Sequence, residues 1–189
     1  MSTSPPAARR LRREAAALFV VDIQEKLMPL IFERERVVRN AVLLIETAKV
    51  LGLPMVVTEQ YPQGLGTTLP EIRQALGAFY QPIAKLTFSG CGIQAAQEAM
   101  QTTGRTQWLI VGIESHVCVV QTVLDMLEMG LEVYVAADAV SSRAESNYRL
   151  GLERMRDAGA VLTSAEMAIY EMLREAGTEE FRAILKLVK

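Results

Sequence analysis

Three residues in this 189-residue chain have side chains suited to covalent and acid–base chemistry and stand where a fold could bring them together: Asp22, Lys85 and Cys118. Cys118 lies in "LIVGIESHVCVVQTVLDMLEMG", at the joint between a short apolar run and a stretch with helical spacing that lasts to Gly130. The run Trp108-Leu109-Ile110-Val111 is continuously apolar and largely β-branched, as in a buried strand, so Cys118 opens a helix just past a strand end. Asp22 closes the apolar run Ala17 to Val21, and Lys85 closes Pro82-Ile83-Ala84. A thiol, a carboxylate and an ammonium are the types from which nucleophilic and proton-transfer sites are built. Singly they have ordinary readings: an Asp after a strand caps a turn, a Lys is a solvated charge, and a Cys at a helix start is a small buried hydrophobe. Their coincidence at strand ends is what raises the functional reading.

The elements that must position them follow from a repeating alternation. Short apolar runs at Ala17–Val21, Pro54–Val57, Pro82–Ala84, Trp108–Val111, Leu131–Ala136 and Ala160–Leu162 are separated by longer segments of helical character. From Glu33 to Leu51, the residues Val37, Val38, Ala41, Leu44, Ile45, Ala48 and Leu51 share one helical face, and Gly52 follows as a stop. Strand, helix, strand in this rhythm predicts a parallel sheet covered on both faces. In such a sheet ligands bind beyond the carboxyl ends of the strands, where the three residues fall. The tail "GTEEFRAILKLVK" is expected to form a further amphipathic helix.

Half of the chain is hydrophobic, enough for one well-filled core, so a single domain is expected over residues 15–189, preceded by a flexible basic tail over residues 1–14. The formal net charge of −2 suggests neither a nucleic-acid nor an acidic-membrane partner. The apolar segment after the basic N-terminus is short and ends in Asp22, which fits neither a spanning helix nor a signal peptide. Two cysteines without a secretory signal point to a reducing, cytoplasmic setting.

Taken together, "LFVVDIQEKL", "PIAKLTFS" and "VGIESHVCVVQTVLDMLEMGLEVYVAADAVSSR" resemble the isochorismatase-like cysteine hydrolase superfamily, which includes nicotinamidases and N-carbamoylsarcosine amidohydrolases. The similarity runs from Ala17 to Ile169, and "TEQYPQGLG" is most similar to a branch with no assigned substrate. The resemblance implies a three-layer α/β/α fold with a mostly parallel, about six-stranded, Rossmann-like sheet. It implies a homo-oligomer acting on a small molecule, with no cofactor. Cys118 would be the nucleophile, Asp22 the general base and then acid, and Lys85 the cation that holds carboxylate and thiolate charges together. The helix N-terminus would lower the thiol pKa. A cis peptide between Ile113 and Glu114 would direct the backbone N–H groups of Glu114 and Cys118 at the oxyanion. Gln24, Gln60, Tyr61, Phe88 and His116 are expected to line the pocket. The expected reaction is hydrolysis of a small amide or carbamoyl compound through a thioester.

Nicotinamidases use a metal held by an Asp and histidines, whereas this chain has one histidine, His116, so no multi-histidine metal centre is expected. Two other classes remain. A non-catalytic interaction protein could keep the fold and dock through its C-terminal helix, and a thiol redox sensor would pair Cys118 with Cys91.

Overall fold

The computed structural model describes residues 9–188. Six strands, β1 (Ala16–Val21), β2 (Met55–Gln60), β3 (Ile83–Lys85), β4 (Gln107–Ile113), β5 (Glu132–Ser141) and β6 (Val161–Thr163), form one sheet in the order β3-β2-β1-β4-β5-β6. Every neighbouring pair is parallel. Among the described residues eight α-helices accompany them: α1 (Arg34–Leu51), α2 (Pro62–Leu65), α3 (Pro70–Leu76), α4 (Gln94–Thr103), α5 (Val120–Glu128), α6 (Glu145–Ala158), α7 (Ala165–Leu173) and α8 (Glu179–Val188). The three-layer α/β fold is therefore present as expected.

Burial on both faces explains the unbroken apolar strands. Successive residues of a strand point to opposite faces. Along β1, Leu18 and Val20 join the core beneath α1, α3, α7 and α8, while Phe19 and Val21 join the core beneath α4, α5 and α6. Helix α1 ends where Gly52 takes a left-handed φ of 68° and its N–H closes on the Ala48 and Lys49 carbonyls.

The chain winds outward from the sheet centre in two directions, β1 to β3 on one side and β4 to β6 on the other. The carboxyl ends of β1 and β4 thus flank the switch point, which is where a crevice opens in such sheets. Gly112, the second-last residue of β4, has φ 144°, and a Cβ there would lie 2.2 Å from the Val21 carbonyl oxygen. Only glycine lets the two strand ends approach this closely.

Two expectations need correction. Residues 1–8 of the expected flexible tail lie outside the described residues, but residues 9–14 are fixed on the body: Leu11 is fully buried, its N–H donates to Glu171 at 3.0 Å, and the Arg12 N–H donates to Gln107 at 2.7 Å. An apolar leucine between arginines supplied that anchor. Strand β2 runs three residues past the expected Val57, because Thr58, Glu59 and Gln60 find buried partners that the sequence does not display. Among the described residues no helix is long and apolar enough to cross a membrane.

Candidate active site

Asp22 follows β1 directly, with a left-handed φ of 51°, and is completely buried. Its N–H donates to the Thr58 carbonyl at 3.2 Å, and one carboxylate oxygen accepts from the Thr58 hydroxyl at 2.8 Å. The other oxygen lies 2.7 Å from the Lys85 ammonium, and both side chains of this pair are shut off from solvent. Lys85 donates further to Gln60 Oε1 at 2.7 Å and to the Phe88 carbonyl at 2.9 Å, with the Thr87 carbonyl at 3.2 Å. A buried ion pair needs such additional partners, since each ion has lost its hydration.

The third member arrives from the other side of the switch point. After β4, the Ile113–Glu114 peptide is cis, and Ser115–Val119 form a single π-helical turn that runs into α5. The Glu114 carbonyl accepts from both the Val117 and Val119 N–H groups. Cys118 sits in this turn, 7% exposed, with its Sγ 4.0 Å from Gln60 Oε1 and facing the Asp22 carboxyl. The turn is braced from outside by α6: a Cβ on Gly151 would come within 2.9 Å of the Ser115 carbonyl group.

Electrostatics at the site run against one expectation. Burial first, then the Asp22 charge, push the Cys118 thiol up to about 12, and the Lys85 cation offsets only part of this. The helix start therefore does not deliver a lowered thiol pKa, because desolvation of a sulfur inside a closed turn outweighs partial charges at the helix end. Asp22 is also raised, by burial, against the opposing effects of Lys85 and Thr58. The resting site accordingly holds a thiol beside a buried carboxylate–ammonium pair, with the carboxylate more basic than that of an ordinary Asp.

Tyr61 lines a surface cleft of about 480 Å³ together with Lys85, Leu86 and Thr87, and Phe88 is exposed next to it while its carbonyl holds Lys85. Gln24 is a correction: its side chain is fully buried, donates to the Gln60 and Gly66 carbonyls and accepts from the Gln60 N–H at 2.8 Å. An amide satisfied at both ends by backbone fastens the end of β2 and offers nothing to a pocket. His116 is likewise engaged elsewhere, with Nδ1 2.9 Å from the Ser142 hydroxyl and Nε2 3.4 Å from Asn147. Glu114 carries its own ion pair with Arg143 at 3.0 Å.

Sequence reasoning missed Thr58, although its signal was present. In a strand ending at Gln60, period two puts Thr58 and Gln60 on one face, and both contact the ion pair. Ser142 and Arg143 carried no comparable signal.

The isochorismatase domain family model matches residues 16–167. The secreted isochorismatase effector Isc1 of Phytophthora sojae is 39% identical across 100% of this chain and 93% of its own length. A solved structure described as the MAR1 ribonuclease of Caenorhabditis elegans has 38% identity and a TM-score of 0.89, covering 95% of this chain and 92% of that one. The Escherichia coli YcaC product, described as an octameric hydrolase of unknown specificity, has 26% identity and a TM-score of 0.89, over 98% of this chain and 92% of that one.

Proposed function

The chain belongs to the isochorismatase family, and on that premise we propose that it is a cysteine hydrolase of small amide or carbamoyl compounds. The observation that carries this reading is the placement of Cys118 against a fully buried Asp22–Lys85 pair at the switch point.

The chemistry follows from the protonation state. A thiol held near 12 does not ionise in advance, so Asp22 takes its proton as sulfur attacks the carbonyl carbon. The C–S bond forms while the carbonyl electron pair moves to oxygen, where the Glu114 and Cys118 N–H groups are the proposed donors. Removing one such donor typically costs about 10²–10³ in rate. Collapse breaks the C–N bond, and Asp22 returns the proton to the leaving amine. Water then attacks the thioester, gives its proton to Asp22, and the departing sulfur recovers it. The Lys85 ammonium, 2.7 Å from the Asp22 carboxylate, favours the ionised form of Asp22 between transfers. Tyr61 and Phe88, exposed beside Lys85, are the proposed substrate contacts.

A homo-oligomer is the proposed assembly, supported by the octamer described for YcaC. Two free cysteines suit a reducing compartment such as the cytoplasm. The ribonuclease activity named for the Caenorhabditis elegans structure is not carried over to this chain.

The test is intact-mass spectrometry of enzyme quenched in acid during turnover of an amide and carbamoyl library. A hit should leave an acyl adduct on the Cys118 peptide in wild type and none in Cys118→Ala. Turnover without any such adduct, retained in Cys118→Ala, refutes the reading.

A further inference from the structure

At the opposite end of β4 from Cys118 lies a second cavity that the proposed hydrolysis does not use. It measures about 360 Å³, within the range of small-molecule sites, and opens between the end of α4 and the end of α5. Its walls are Met100, Met129 and Leu131, and Trp108 lies at its base. Trp108 stands five residues before Ile113 on β4, so the cavity is roughly 16 Å along the strand from the nucleophile turn.

The polar groups here are all donors or amides. Trp108 is fully buried, and its indole N–H has no hydrogen-bond partner among the described residues. Arg105 stands at the rim, half-buried, and takes part in no ion pair among the described residues. Gln97, whose amide donates to the Cys91 carbonyl, and Gln101 are the other polar residues of the lining, and no acidic side chain lines the cavity. An apolar slot with an unpaired cation and an amide at its rim is complementary to an apolar body carrying one anionic acceptor group.

We propose that this cavity, framed by Trp108, Met129 and Arg105, is a binding site for a small amphipathic carboxylate, separate from the Cys118 centre. The carboxylate pairs with Arg105, and the apolar chain lies against Met100, Met129 and Leu131 above the indole.

Trp108 is the only tryptophan in the chain, so its fluorescence reports on this cavity. The experiment titrates the full-length protein with hexanoate, following Trp108 emission and, in parallel, the heat of binding by calorimetry. Hexanol serves as the uncharged control. The expected result is saturable binding in the millimolar range or tighter, with hexanol weaker. Arg105→Gln should weaken hexanoate about tenfold while leaving hexanol unchanged, and Gln101→Phe should block both. Cys118→Ala should bind hexanoate as wild type does, which separates this site from the hydrolytic one. Absence of both heat and emission change in the folded protein overturns the proposal. So does hexanoate binding that is indifferent to Arg105→Gln and Gln101→Phe, or that is lost in Cys118→Ala.

Discussion

The two cysteines sit on either side of Thr122, which contacts both: its hydroxyl donates to the Cys118 carbonyl at 2.7 Å, and its carbonyl lies 4.0 Å from Cys91 Sγ. Burial pushes both thiols up to about 12, and each faces a carboxylate, Asp22 for Cys118 and Asp125 for Cys91. The surroundings then diverge. Asp22 is sealed from solvent and paired with Lys85, whereas Asp125 accepts a hydrogen bond from Ser89 and has no ion pair among the described residues. Cys91 points at the Met100 thioether, 3.8 Å away, in a loop packed under α4. Desolvation alone thus makes a thiol inert. What distinguishes Cys118 is a neighbouring carboxylate that is sealed from solvent and paired with a buried cation.

The largest expected effect tests that distinction directly. With a substrate in hand, Cys118→Ala should lower turnover about 10⁴-fold or more, while Cys91→Ala should stay within about threefold of wild type. Comparable losses in both variants would place the two thiols in one functional unit and favour the redox reading over the hydrolase.

Next in size is the stability of the ion pair. Lys85→Met leaves the Asp22 carboxyl buried without its cation and should cost about 3–5 kcal/mol in urea unfolding. Adding Asp22→Asn should recover part of that loss, because the orphaned charge goes with it. Asp125→Asn, at a partly exposed carboxylate with no buried cation, should change stability far less. Equal penalties at the two carboxylates would erase the contrast.

The smallest and most local effect is the pH dependence of alkylation by iodoacetamide. A raised thiol pKa keeps the unreactive protonated form to higher pH, so wild-type Cys118 should show a midpoint well above about 8.5. Asp22→Asn removes a charge and a hydrogen bond that both hold the pKa up, so the Cys118 midpoint should fall. Cys91 should not respond to Asp22→Asn but should respond to Asp125→Asn. A Cys118 midpoint below that of an ordinary thiol would restore the helix-start argument that the structure corrects.

Much of this was legible in the chain because it rests on short-range pattern. Short continuous apolar runs and period-3.6 apolar repeats reflect which faces a segment buries, so every expected strand and the long helix α1 are found near the expected places. Asp22, Lys85 and Cys118 were legible as well, since all three follow an apolar run and parallel sheets place such positions on one edge. The pocket was less legible. Gln24 and His116 have the polarity of pocket residues, yet their partners, the Gln60 backbone and Ser142, lie 36 and 26 residues away in sequence.

The sequence by itself determined the layered α/β architecture, the strand ends that carry a thiol, a carboxylate and an ammonium, and their resemblance to a hydrolase superfamily. Composition and periodicity suffice for the architecture, because burial on two sheet faces is a local demand, and the three motifs carry the resemblance. Only the tertiary structure decided that Asp22 and Lys85 are sealed from water, that Cys118 is a high-pKa thiol, and that residues 9–14 are part of the body. Desolvation and hydrogen-bond partners are set by atoms brought together from distant parts of the chain, and a pKa is the sum of those neighbours.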